Sequence, residues 1–158
     1  IFAAGAGGGA VGVVVRATVR PGRRPARAVA HFMRWAKDLD DQRTKPAYYP
    51  NLDKGALVGG YIAERSGHSR AATIDLTAMQ CDARGEHCRE LDMGTPFDFF
   101  DTLANTDDPR LSASQRANRE LLLSAMQRHG FANYPMEWWH FTFKPEPTPQ
   151  TFFDIPIR

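Results

Sequence analysis

Residues 66–75, SGHSRAATID, decide the reading of this chain, together with residues 137–140, EWWH, far downstream. They supply two imidazoles, His68 and His140, and two carboxylates, Asp75 and Glu137. A catalytic zinc ion needs three protein ligands, an open position for water and a base to take the water's proton. Neither half carries that conclusion alone. ExxH is a weak signal, and it differs from helical HExxH, whose two histidines sit one turn apart. As a pair they make a hydrolase the leading reading.

The ordinary role of a single histidine is that of a polar core residue satisfied by hydrogen bonds. Asp75 weakens that reading because it lies inside an apolar strand, where an unpaired carboxylate is costly. A turn between His68 and Asp75 can bring both to one ion, and His140 on the last strand supplies the third ligand. In a strand, positions i and i+3 point to opposite faces. Glu137 therefore shares a site with His140 only if the chain bends between them. Pro135, just before, marks a strand entry.

Around these residues the pattern is that of a mixed fold. Pro25 suits the first position of a helix running to about Leu39. Val29, Phe32, Met33, Ala36 and Leu39 fall on one face and read as core, with His31 off the stripe and exposed. Residues 42–60 read as loop, and 73–77 as a short strand carrying Asp75. A second helix starts at Ser112, where Gln115 completes a capping box, and ends at Gly130. Leu121, Leu122, Ala125 and Met126 form its buried face, and His129 in its last turn suits the helix dipole. Residues 138–143 read as a final strand stopped by Pro145, Pro147 and Pro149. The aromatics of the tail, TFFDIPIR, are expected to pack back onto the body. One α+β domain is predicted, with a small, mostly antiparallel sheet, packed helices and a small, closed pocket.

At 158 residues the chain suits one domain with one core. Its 20 Lys and Arg against 18 Asp and Glu do not imply a nucleic-acid partner. Arg16, Arg20, Arg23, Arg24 and Arg27 crowd one stretch, read as solvated surface except for Arg24. No segment is long and apolar enough to span a membrane. The first residue is Ile, which points to a mature form or a fragment. The Gly- and Ala-rich opening reads as a signal-peptide remnant, a strand or a poorly ordered terminus. Cys81 and Cys88 flank a polar stretch, DARGEH, and cannot complete a structural zinc site even with His87. Their spacing permits a disulfide, which would place the chain in a cell envelope; two free thiols and a cytoplasmic location remain open.

Residues 66–77 (SGHSRAATIDLT), 91–101 (LDMGTPFDFFD) and 137–143 (EWWHFTF) resemble the conserved blocks of the VanX-type D-alanyl-D-alanine dipeptidases. Their wider superfamily includes VanY-type D,D-carboxypeptidases and the hedgehog signalling domain. Residues 23–39, 48–70 and 151–158 extend the resemblance to most of the chain. It implies a bacterial hydrolase with a hedgehog/D,D-peptidase-like fold and one zinc ion, acting on a small D,D-dipeptide. The implied ligands are His68, Asp75 and His140. The implied general base is Glu137, and Arg24 matches the arginine that stabilises the oxyanion. Asp98 matches the residue that receives the substrate's free ammonium, and Ser66 one that lines the substrate pocket.

Residues 21–25, PGRRP, stand where the family has Asp-(Gly/Ala)-Tyr-Arg-Pro, and Ala71 stands where it has glycine. Residues 1–21 are expected to be an atypical segment and 22–158 the zinc D,D-dipeptidase domain. Two other readings stay open at this stage. One is a related zinc carboxypeptidase or endopeptidase acting on peptidoglycan stem peptides. The other is a catalytically impaired zinc-binding homologue.

Overall fold

The computed structural model describes residues 24–154 in full and, as backbone, residues 2–3 and 14–19. Among the described residues six strands form one sheet in the order β1-β2-β3-β6-β5, with β4 on β3 beside this path. They are β1 (Phe2–Ala3), β2 (Val14–Val19), β3 (Thr73–Cys81), β4 (Arg89–Glu90), β5 (Phe131–Tyr134) and β6 (Glu137–Phe143). Every pairing is antiparallel. The helices are α1 (Ala26–Lys37), the short α2 (Lys45–Tyr48) and α3 (Ala113–Arg128). The α+β reading is correct.

β3 is the centre of the sheet and runs well past the expected Thr77. Its residues 76–81 pair with β2 and its residues 73–75 with β6. Six of its nine residues are buried and the other three half-buried, so the alternation that marks a half-exposed strand is blurred. Leu76 and Ala78 point into a core shared with Leu122 and Met126 of α3 and with Trp138, Trp139 and Phe141. Asp75 alternates onto the opposite face. β2 lies within residues 1–21, and residues 1, 4–13, 20–23 and 155–158 lie outside the described part of the chain.

α3 begins as its sequence dictates. The Ser112 side chain accepts from the Gln115 amide and the Gln115 side chain accepts from the Ser112 amide, a complete capping box. His129 is its C-cap, and Gly130 follows at φ +80°. Leu122, Ala125 and Met126 are buried, while Leu121 is half-buried. Arg119, which hydropathy would place outside, is 2% exposed because its guanidinium donates to three backbone carbonyls, those of Met93, Leu103 and Asn105. That buried fork fixes the loop from Met93 onward against α3.

α1 covers a second core of Met33, Ala36, Tyr49, Leu57, Ile62 and Phe100. Pro25 is its N-cap rather than its first turn, and the helix ends at Lys37. Leu39 therefore falls beyond it and is 58% exposed, against the expected core role. Residues 42–60 are loop-like as expected but include α2 and a 3-10 turn, Lys54–Leu57. The tail packs back: Arg65 stacks on Phe152, and the Phe153 amide donates to the Ser69 carbonyl. Cys81 and Cys88 form a disulfide. No helix among the described residues is long and apolar enough to cross a membrane.

Candidate active site

Antiparallel register brings two of the expected ligands together. Asp75 of β3 sits directly opposite His140 of β6, on the face turned away from α3. His68 arrives from a 3-10 turn, Gly67–Arg70, that immediately precedes β3. The turn is tight for local reasons. The Ser66 hydroxyl accepts from the His68 amide at 3.3 Å, and a Cβ at position 67 would stand 2.6 Å from Thr73 Oγ1. Only glycine fits there. The C-terminal tail clamps the turn from outside, through Arg70 paired with Glu146 and Thr148 bonded to the Arg70 carbonyl.

The turn ends at Ala71 in the left-handed conformation, φ +59° and ψ +18°. An alanine there carries a Cβ penalty of about 1–2 kcal/mol that glycine avoids. Part of this is offset because glycine gives the unfolded chain more freedom. Ala71→Gly should therefore stabilise the protein by roughly 0.5–1 kcal/mol, raising the melting temperature by about 1–4 °C. A thermal melt with no rise would mean that the turn relaxes around Ala71 without strain.

His68 Nε2 lies 3.1 Å from Asp75 Oδ2, and His140 Nδ1 lies 3.0 Å from Asp75 Oδ1. One ligand atom from each of the three residues falls within 4.8 Å of the others. Asp75 Oδ1 is buried and makes no hydrogen bond despite that neighbour. A carboxylate oxygen and an imidazole nitrogen at this distance, unaligned for a hydrogen bond, suit a shared cation. Donors about 2.0–2.2 Å from a tetrahedral ion stand roughly 3.3–3.6 Å apart, close to the separations seen here. The three residues fit a metal. Burial pushes the Asp75 carboxyl up, but the imidazoles of His140 and His68 outweigh it and hold the group well below the usual carboxylate range.

Glu137 reaches the same place because the chain bends where the sequence requires it. The β5–β6 ladder is irregular between Asn133 and Tyr134: Asn133 opposes Phe141, whereas Tyr134 opposes Glu137. Glu137 Oε2 thus comes within 3.4 Å of His140 Nδ1, although the two are three residues apart in a strand. Burial, then the negative charges of Asp75 and Asp98, push the Glu137 carboxyl up to about 8, with Arg24 opposing.

Arg24 enters from just before α1. Its Nη2 donates to Asp75 Oδ2 at 3.3 Å and stands 4.0 Å from Asp98 Oδ1. The Ser69 hydroxyl donates to the Arg24 carbonyl at 2.6 Å, tying this residue to the His68 turn. Asp98 closes the Met93–Asp98 loop at φ +58°. That loop is pinned by Arg119 and by Trp138, whose indole N–H donates to Thr95 Oγ1 at 2.8 Å. The Trp pair therefore supports the loop from beneath instead of walling the site. Phe97 stacks on Trp139 in the same layer.

All seven expected site residues line one cleft of about 700 Å³. Among the described residues it is wider and more open than the small, closed pocket expected from the sequence. Its far wall comes from α1 and the segments near it, with Phe32, Trp35, Tyr48, Tyr61 and Phe100 facing the site. Phe32, read as core from its helical spacing, is part of that wall. His31 is exposed as expected but stands on the same cleft. A second cluster, Asp82, Glu86 and His87, lies on the exposed disulfide loop. There the Asp82 carboxylate already accepts from Arg84, Glu86 and His87, which accounts for the cluster structurally.

Comparison with known proteins identifies the family. A peptidase M15 model, described as D-ala-D-ala dipeptidase, matches residues 13–158. A D-alanyl-D-alanine dipeptidase of Streptomyces coelicolor is 44% identical over 137 residues, 86% of this chain and 66% of that protein. Those of Enterococcus faecium and Enterococcus faecalis are 41% and 39% identical over 87% and 86% of this chain, again 66% of each relative. The chain thus spans just under two thirds of the length of these relatives. With the match covering both the His68–Asp75 turn and strand and the bent strand of Glu137 and His140, the chain belongs to the peptidase M15 family of D-ala-D-ala dipeptidases.

Proposed function

We propose that this chain is a zinc-dependent dipeptidase that hydrolyses D-Ala-D-Ala. The observation that carries the reading is the convergence of His68, Asp75, His140 and Glu137 on one cleft wall, with Arg24 and Asp98 beside them. His68, Asp75 and His140 would hold the zinc. When bound, zinc supplies an activated water and polarises the scissile carbonyl.

Glu137 accepts the proton of the attacking water and passes it to the leaving amine. Its buried position keeps the carboxylate poorly solvated and thus basic. Arg24 donates to the oxygen that gains negative charge, a contact stronger in the transition state than in the ground state. Asp98 pairs with the free ammonium of the dipeptide, and Ser66 lines the place where the substrate rests. A blocked amine cannot form this charge pair, so chains extended at the amino end are rejected. The disulfide supports a bacterial cell-envelope location, since such bonds persist in oxidising compartments.

Asp98→Ala tests the ammonium filter. The kcat/KM for free dipeptide should fall on the order of 10²-fold, as expected for a lost charge pair. Activity on the N-acetylated dipeptide should stay at its low level. Equal activity of wild type on both substrates would instead favour a carboxypeptidase.

A further inference from the structure

Asn133 is not a wall of the cleft, yet every polar atom of its side chain is engaged around the bend. Its Nδ2 donates to the Glu137 carbonyl at 3.1 Å and to the His140 carbonyl at 3.0 Å. Its Oδ1 accepts from the Thr106 hydroxyl at 2.5 Å. The Thr106 amide in turn donates to the Pro135 carbonyl at 2.9 Å, across the same turn. One amide group thus bridges the two ends of the segment 137–140, where the ladder with β5 slips.

The two carbonyls fix which way this amide faces, since its reverse would set oxygen against oxygen, and the Thr106 hydroxyl anchors its Oδ1 end. Regular strand geometry would send Glu137 and His140 to opposite faces. Drawing their carbonyls onto one donor group holds the bend that puts both side chains on the cleft.

We propose that Asn133, anchored by Thr106, is a positioning residue that sets Glu137 and His140 in register with Asp75. It touches neither substrate nor metal and acts through the backbone of the two residues that do. The inference rests on the dipeptidase reading for its catalytic consequence. Its consequence for metal binding stands apart from that reading.

The test compares wild type, Asn133→Ala, Asn133→Asp, Thr106→Val and Thr106→Ser. Zinc affinity is measured by chelator competition, kcat and KM on D-Ala-D-Ala, and folding by thermal melt. Partners behind a metal ligand typically carry 10- to 100-fold in affinity or activity. Asn133→Ala should weaken zinc about tenfold and lower kcat about tenfold, with KM within about twofold. Asn133→Asp keeps the shape but sets a carboxylate against two carbonyls, so it should be worse than alanine. Thr106→Val should move in the same direction by less, and Thr106→Ser should behave as wild type. Variants that melt earlier but keep wild-type zinc affinity and kcat would reduce Asn133 to a fold-stabilising residue and overturn the proposal. If wild type binds zinc but cleaves no dipeptide, the functional reading fails, and the zinc-affinity series still decides the role of Asn133.

Discussion

Glu137→Ala is expected to retain stoichiometric zinc and the wild-type fold while kcat for D-Ala-D-Ala falls roughly 10³-fold, the range of a lost general base. The side chain stands 3.4 Å from His140 Nδ1 without being needed for the three-residue donor set. Removing it should therefore separate metal binding from turnover. A near-normal rate in this variant would take Glu137 out of the mechanism. The same carboxylate makes a prediction for the metal-free protein. Its folded pKa, about 8, lies above its ordinary 4.5, so it favours folding only while protonated. That contribution is present below pH 4.5 and is lost as pH rises toward 8. Metal-free Glu137→Gln should gain stability over metal-free wild type by on the order of 5 kcal/mol at pH 9 and by little at pH 4. A pH-independent difference in melting would mean that Glu137 is better solvated than its burial indicates.

Loss of a donor should have the opposite signature. Asp75→Ala and His68→Ala should each lose zinc on dialysis and, with it, all turnover. Asp75 matters most because its two oxygens face the two imidazoles from a buried strand position, 3.1 and 3.0 Å away. In wild type, zinc at a thousand times its dissociation constant should add about 4 kcal/mol of stability through linkage. The variants should show no such gain. Unchanged zinc content in either would remove that residue from the ligand set.

What could be read in the sequence was whatever depends on neighbours along the chain. The Ser112–Gln115 cap, the Gly130 stop and the ligand spacing around His68 and Asp75 are local, and the structure has them where the sequence puts them. The strain at Ala71 was likewise legible, from an alanine standing where the family has glycine. Features set by pairing across the fold were not. Helical period alone cannot show that Phe32, half-buried against the core that buries Met33, also lines the cleft. The burial of Arg119 depends on carbonyls 14 to 26 residues away. Pro135 marked a strand entry before Glu137 and the shared site required a bend between Glu137 and His140, but that Asn133 holds it follows only once β5 is known to pair with β6. Residues 138–143 were legible as a strand, but that both Trp138 and Trp139 are buried beneath the Met93–Asp98 loop required the contacts of Trp138 with Thr95 and of Trp139 with Phe97.

The central claim is that zinc held by His68, Asp75 and His140 serves a dipeptidase with a free-amine filter. Release of free D-alanine from D-Ala-D-Ala by zinc-loaded protein tests it most directly, with N-acetyl-D-Ala-D-Ala and Glu137→Ala run alongside. The account predicts turnover of the free dipeptide only, abolished in the variant. Stoichiometric zinc with no release of D-alanine, or equal turnover of the blocked dipeptide, would contradict it.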